Sequence, residues 1–164
     1  IINDQWGLKA DPEIAAVAAS TGAGLVLMHN QKSRDYDDVV SSVASSLSDS
    51  AKAALNAGVP RENIILDPGI GFGKTRAHNL VLIGHLRQFV DTGYPVMLGT
   101  SRKRFMGSIC NETEFSELVG ATCSTTTLGV AAGVRLFRVH DVKANRQAAD
   151  VAWACLKTNE DYLG

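Results

Sequence analysis

Asp67 closes a short apolar run, Ile64-Ile65-Leu66, and is followed by Pro68 and by glycines at 69, 71 and 73. A lone carboxylate in that position either faces a pocket as a binding group or caps the turn that follows it. Spacing alone supports both readings. Proline cannot continue a hydrogen-bonded ladder, and glycines let backbone approach a ligand closely. Two nucleotide motifs fail here. A Walker A loop has four residues between its first glycine and the Gly-Lys pair, and the stretch from Gly69 to Gly73 leaves three. The dinucleotide pattern G-x-G-x-x-G fails because Gly73 comes one residue too early.

Two further clusters could do chemistry. Gly99-Thr100-Ser101 leads into Arg102, Lys103, Arg104 and Phe105, three cations behind what reads as a flexible turn. Lysine is a point charge suited to a carbonyl or ring nitrogen, and arginine matches carboxylates and phosphates. A solvated basic loop is the plain alternative. Arg138 and His140 lie two apart in Arg-Val-His-Asp-Val, which puts both on one face of a strand. Two such donors make an anion site, although His140 alone could equally be a structural histidine. His78 and His85, seven apart on one helix, read as surface or packing residues. Met28 and Asn30 share a face that His29 does not. Trp6 and Phe72 offer flat surfaces for a ring, with core packing the default for Trp6.

The elements that must hold these groups alternate. Ile1-Ile2 opens a first strand that ends at Asn3-Asp4. Asp11 and Pro12 start a helix, which Gly22 and Gly24 end. Leu25 to Asn30 is the second strand. Val39, Val40, Val43, Leu47, Ala51 and Ala54 recur with helical period until Gly58 and Pro60 stop them. The run before Asp67 is the third strand, followed by a helix over about 78–91. Pro95 to Leu98 is the fourth strand, a helix covers about 116–132, Val134 to Val139 is the fifth strand, and a last helix begins near Lys143. Five βα units predict a parallel sheet with helices outside. Every polar cluster falls at the carboxyl end of a strand, where parallel α/β proteins build their sites. Two architectures satisfy the pattern: an open doubly wound sheet, or five-eighths of a (β/α)8 barrel, which typically needs ~250 residues.

The 164 residues suffice for a single domain with a core, and the formal net charge of -1 gives no reason to propose nucleic acid or an anionic membrane as partner. Cys110, Cys123 and Cys155 show no metal spacing and read as small buried thiols in a reducing cytoplasm. No apolar run is long enough to span a bilayer. The chain begins inside an apolar run without an initiator methionine, so it reads as a piece of something longer.

Leu-Met-His-Asn-Gln (27–31), Leu-Asp-Pro-Gly-Ile-Gly-Phe-Gly-Lys-Thr (66–75), Gly-Thr-Ser-Arg-Lys-Arg-Phe (99–105) and Arg-Val-His-Asp-Val (138–142), in this order, closely resemble dihydropteroate synthase, and Ile2-Asn3-Asp4 resembles that family's fourth strand. The resemblance implies a (β/α)8 barrel, of which this chain supplies strands four to eight as one N-terminally truncated pterin-binding domain over 1–164. It implies condensation of 6-hydroxymethyl-7,8-dihydropterin diphosphate with p-aminobenzoate, giving dihydropteroate and pyrophosphate for folate synthesis, with Mg²⁺ as cofactor, a homodimer through the last two helices, and a cytoplasmic location. By position, Asn3 and Asp67 would hold the pterin edge and Met28 would line its pocket. Lys103 would reach the pterin carbonyl and, with Phe72, border the p-aminobenzoate pocket. Arg138 would lie on the pterin face and, with His140, hold the diphosphate. Lys103, Arg138 and His140 are the implied catalytic residues.

The chain departs from the pattern in several places. The family's first strand, with its asparagine at the metal-diphosphate site, is absent, so no metal ligand is expected in this chain. Two mobile loops and a third-strand aspartate are absent too. His29-Asn30-Gln31-Lys32 stands where many members have His-Met-Gln-Gly, and Arg104 stands where some carry serine near the p-aminobenzoate carboxylate. An arginine there can also serve an anion. A pterin-binding methyltransferase shares the barrel and the pterin carboxylate but needs no diphosphate pocket. A non-catalytic half-barrel that binds pterin or mediates oligomerisation is the reading from another class.

Overall fold

The computed structural model describes residues 1–163, with side chains described through residue 158. Five parallel strands alternate with helices: β1 (Ile2–Asp4), α1 (Glu13–Thr21), β2 (Leu25–Met28), α2 (Val39–Asn56), β3 (Ile64–Asp67), α3 (Arg76–Gly84), α4 (Leu86–Val90), β4 (Met97–Leu98), α5 (Arg104–Cys110), α6 (Val119–Ala132), β5 (Leu136–Phe137) and α7 (Val142–Leu163). β1 pairs with β2 and β2 with β3, while β4 pairs with β5. A bridge between Leu66 and Val96, with the Leu66 amide donating to the Pro95 carbonyl at 2.9 Å, joins the two groups. Each strand thus lies beside its successor in one direction. A doubly wound sheet reverses direction part-way, so this order excludes that alternative and gives the arc of a (β/α)8 barrel.

Strand alternation sorts the side chains into two cores. Leu25, Leu27, Ile64, Leu66, Val96 and Leu98 point outward and pack under the helices. Val26, Ile65 and Met97, with Leu136 against them, form a separate inner cluster, part of a layer inside a barrel. The inner parity carries onward to the strand ends: Val26 to Met28, Ile65 to Asp67, Leu136 to Arg138. Asn3 joins the same face, since it pairs with Val26.

Helix ends follow local chemistry. Asp38 accepts the Ser41 amide at 2.7 Å and caps α2. Asp11 accepts the Glu13 amide at 3.0 Å at the start of α1, and Gly22, at φ 65°, ends it. Several expectations need correction. The helix expected over 78–91 is two, α3 and α4, broken at His85, whose φ of -116° is not helical. The helix expected from 116 begins as a 3-10 turn at Phe115–Glu117 and becomes α6 only at Val119. The fourth and fifth strands are shorter than their apolar runs. Arg104 opens α5 where the sequence suggests only a turn or basic loop. The cysteines are not buried: Cys110 and Cys155 are exposed and Cys123 is half-buried. Trp6 is half-buried rather than in the core. No described helix is long and apolar enough to cross a membrane.

Candidate functional site

Asp67 is buried, at 4% exposure, at the inner end of β3. Its Oδ1 accepts the Gly69 amide at 2.7 Å, so one oxygen caps the turn. The turn-cap reading of this residue is met, and Oδ2 lies on the side of Gly99. Burial raises its pKa from the usual carboxylate range to about 6, against the pull of the Gly69 amide and of the Lys103, Lys74 and Arg138 charges. Those three cations come from three segments, so Asp67 is their common focus.

The loop over 68–74 is pinned at nearly every peptide. The Gly71 amide donates to Asn79 Oδ1 at 2.7 Å, and the Tyr36 hydroxyl donates to the Gly73 carbonyl at 2.9 Å. Gly69 and Gly73 have φ of 68° and 56°, and a Cβ at either would overlap a carbonyl oxygen, of His29 and Gln31 respectively. Glycine is required there by both backbone conformation and close approach to the segment after β2. Phe72, at the loop's tip, lies under Lys103, whose Nζ stands 4.5 Å from the ring centroid and donates to the Ile70 carbonyl. Burial lowers the Lys103 pKa to about 8, with Asp67 opposing and Arg138 adding to the fall.

The basic segment divides by role. Arg102, at φ 56°, makes a paired contact with Asp141 at 3.0 and 2.7 Å, which ties the loop after β4 to the end of β5. Lys103 turns inward. Arg104 opens α5 and is exposed. The preceding turn is not flexible, contrary to expectation: Thr100 and Ser101 are buried, Thr100 is bonded to Thr125 at 2.7 Å, and Ser101 Oγ lies 2.9 Å from His140 Nδ1. A cleft of about 620 Å³ runs past Arg34, Phe72, Arg76, Lys103, Arg104 and Phe115. Its wall carries several cations and no carboxylate, so it suits an aromatic anion.

Arg138 and His140 lie beyond β5, not on it. The Arg138 amide still donates to the Leu98 carbonyl at 3.0 Å, which extends the ladder one residue. Both side chains are exposed at the mouth of the arc. Ser101 Oγ accepts the His140 amide at 3.1 Å. If it donates its hydrogen to Nδ1, the ring keeps Nε2–H as its free donor. Asn3 is exposed at the open edge of β1, while Met28 is buried beside Asp67 through the β2–β3 register. The structure thus gathers Met28, Asp67, Phe72, Lys103 and Arg138 on one side, with Arg104 on the far wall of the cleft, His140 at the rim and Asn3 at the edge.

Sequence reasoning missed the residues behind this surface. Lys74, which in sequence belongs only to a failed phosphate motif, is buried among carbonyls. Its position after a glycine-rich loop and next to a buried strand was the available signal. Tyr36 and Thr125 act through contacts distant in sequence, which no local pattern reveals, while Asn79 bonds Gly71 and Thr75 from the following helix. His78 forms a reciprocal cap with Thr75, in keeping with a packing role.

Comparison with known proteins agrees with this geometry. A family described as pterin binding enzyme matches residues 1–140. A Bacillus subtilis dihydropteroate synthase is 46% identical over 164 residues, all of this chain and 57% of that protein. A Clostridium difficile dihydropteroate synthase solved in the presence of pteroic acid superposes with TM-score 0.90 at 40% identity, covering 93% of this chain and 58% of that one. The Thermus thermophilus dihydropteroate synthase in complex with 6HMPPP superposes with TM-score 0.87 at 40% identity, covering 93% and 62%. The chain therefore spans between half and two thirds of the length of the relatives it matches. With a parallel arc in sequential strand order, a buried carboxylate at its mouth and a family match over 140 residues, the chain belongs to the pterin-binding enzymes.

Proposed function

We propose that this chain is the strand-four-to-eight portion of a dihydropteroate synthase, a transferase that joins 6-hydroxymethyl-7,8-dihydropterin diphosphate to p-aminobenzoate and releases pyrophosphate. The observation that carries the reading is Asp67: a buried carboxylate with one oxygen turned to the barrel axis, set among cations from three segments. The free oxygen accepts from the amidine-like edge of a pterin, with Asn3 on the same face and Met28 against the ring. Lys103 donates to the pterin carbonyl side. Phe72 and Lys103 border the p-aminobenzoate ring, and Arg104 meets its carboxylate in the cationic cleft. Arg138 and His140 take the diphosphate. The bond from the pterin methylene carbon to the diphosphate oxygen breaks first. The arylamine nitrogen then bonds to the resulting cation and loses a proton. Stabilising the departing charge is the main electrostatic task.

Magnesium is implied by the resemblance. Among the described residues no group of three or more His, Cys, Asp or Glu could hold a metal ion. Magnesium is commonly held by one or two protein ligands together with substrate phosphates, so we propose that it binds with the diphosphate, and no residue of 1–164 is named as its ligand. We take residues 1–164 as a single pterin-binding domain that works in the cytoplasm on small molecules.

The test compares two proteins. A chain completed ahead of Ile1 with the segment of the Bacillus subtilis relative that this chain does not cover is expected to form dihydropteroate. The 164-residue chain alone is expected to show negligible turnover, because β1 and β5 each leave an unpaired edge that a barrel closes. Robust turnover by the chain alone would sink that expectation. A completed chain that takes a methylated folate but not the dihydropterin diphosphate would indicate a methyltransferase. Binding without turnover by the completed chain would indicate a non-catalytic module.

We propose a homodimer through the outer face of α6 and α7. Val151 is 65% and Leu156 36% exposed, and they line a mostly apolar groove with Thr127, Ala131, Ala148 and Ala152. The completed chain is expected to sediment as a dimer at micromolar concentration and Val151→Glu as a monomer. A wild-type monomer under those conditions would count against this surface.

A further inference from the structure

Lys74 is 6% exposed and lies at the back of the cleft that Phe72, Lys103 and Arg104 also line. Its Nζ lies 2.9 Å from His29 Nδ1, 3.0 Å from the Gly69 carbonyl oxygen and 2.9 Å from the Phe72 carbonyl oxygen, with the His29 carbonyl farther off at 3.5 Å. An ammonium has three hydrogens, and three close acceptors take them: one on the end of β2 and two on the 68–74 loop. That loop presents the Gly69 amide to Asp67 and the Phe72 ring to Lys103. We propose that Lys74 is a positioning residue: it ties the loop to the end of β2, fixing Asp67 and Phe72, and supplies a positive charge behind the Asp67 carboxylate. The proposal rests on reading Asp67 as the pterin-binding group.

The two roles separate chemically. The charged and titratable groups facing Asp67 are Lys103 from the loop after β4, Lys74 from its own loop and Arg138 from beyond β5. Those facing Lys74 are Asp67, Lys103, Lys9 from the loop after β1, and His29. Burial lowers the Lys74 pKa to about 7, with Asp67 opposing the fall, and burial together with Lys74 and Lys9 lowers that of His29 to about 3. His29 is therefore neutral. When Lys74 loses its proton, His29 can change tautomer and donate Nδ1–H to the amine, which still donates to both carbonyls. The tie then persists in either protonation state, and only the charge is lost.

The charge is tested on the 164-residue chain by carbon NMR titration of its aspartate carboxyls, with Asp67→Asn assigning the signal. An opposite charge within a few ångströms is worth about one to three pH units to a carboxylate. Lys74→Met, and Lys74→Gln as the variant that keeps a polar group should the first not fold, are expected to raise the Asp67 midpoint by roughly one pH unit. Lys74→Arg keeps the charge and should leave the midpoint in place. The tie is tested by pteroic acid binding to the completed chain. Lys74→Arg is expected to weaken it about tenfold, since a planar guanidinium does not match three acceptors around one nitrogen. An unmoved Asp67 midpoint in the neutral variants, or wild-type pteroic acid affinity in Lys74→Arg, would overturn the proposal. Wild-type pteroic acid affinity in Asp67→Asn would instead refute the pterin reading and leave the NMR result standing.

Discussion

Asp67→Asn in the completed chain is expected to weaken pterin binding by on the order of 2–3 kcal/mol, about 30- to 150-fold. The substitution keeps the shape of the side chain but exchanges one acceptor for a donor. Oδ1 is already committed to the Gly69 amide, so the amide group has two arrangements. If its oxygen keeps that bond, its NH₂ faces the pterin's own donors. If it flips, the turn loses its cap and the NH₂ confronts the Gly69 amide. Either way a buried donor is left unpaired, and the charge that Lys103, Lys74 and Arg138 surround is gone. The pH dependence gives a second signature. Burial raises the folded-state pKa of Asp67 from 3.8 to about 6, so the accepting carboxylate is fully present above that pH. Wild-type affinity should therefore be lost as pH falls through about 6, while the residual affinity of the Asn variant stays flat over the same range. Calorimetry between pH 5 and 8 checks both. Unchanged affinity in the variant, or a wild-type profile with no acid limb, would refute the assignment of Asp67.

Much of this site was legible because it lies in contiguous motifs at strand ends. Asp67 could be placed by the apolar run before it and the proline and glycines after it, and a parallel sheet requires its ligand groups to gather at the carboxyl ends of strands. The choice between barrel and doubly wound sheet was legible only in the motif resemblance, not in the periodicity. It depends on which strand lies beside which, and the run Ile64-Ile65-Leu66 reads the same in both folds. The short β5 was overestimated for a related reason: Val134 to Val139 is apolar enough for a strand, but only Leu136 and Phe137 pair as one. The basic segment shows the limit most clearly. Arg102, Lys103 and Arg104 are adjacent in sequence and alike in charge, yet one binds Asp141, one turns to Asp67 and one opens a helix. What separates them is the positive φ of Arg102 and a partner 39 residues away. Lys74 escaped notice because its partners are backbone carbonyls, which carry no residue identity in a sequence.

Arg138→Ala and His140→Ala in the completed chain are each expected to lower turnover with the diphosphate substrate by roughly ten- to hundredfold. Removing one charge-assisted hydrogen bond to the leaving group costs about 1.5–3 kcal/mol, and the loss appears in the rate if the bond strengthens as charge develops. Arg138 continues the inner parity of β5 and its charge acts on Asp67, so it can span the pterin face and the diphosphate. A guanidinium stays charged and pairs two phosphate oxygens at once. His140 is held differently. Ser101 Oγ accepts its amide and lies 2.9 Å from Nδ1; if that hydroxyl donates to Nδ1, the ring presents Nε2–H as its free donor. The neighbouring Asp141 would repel a diphosphate, but Arg102 engages both its oxygens and holds its pKa low through that contact. Arg102 would therefore serve the diphosphate indirectly, by neutralising a competitor. Ser101→Ala should reproduce part of the His140→Ala defect, since the ring loses its orientation but keeps its donor. Inhibition by free pyrophosphate should weaken in both the Arg138 and His140 variants, whereas pterin binding without the diphosphate should fall mainly in Arg138→Ala. If both variants keep wild-type pyrophosphate inhibition, the diphosphate does not sit at these residues.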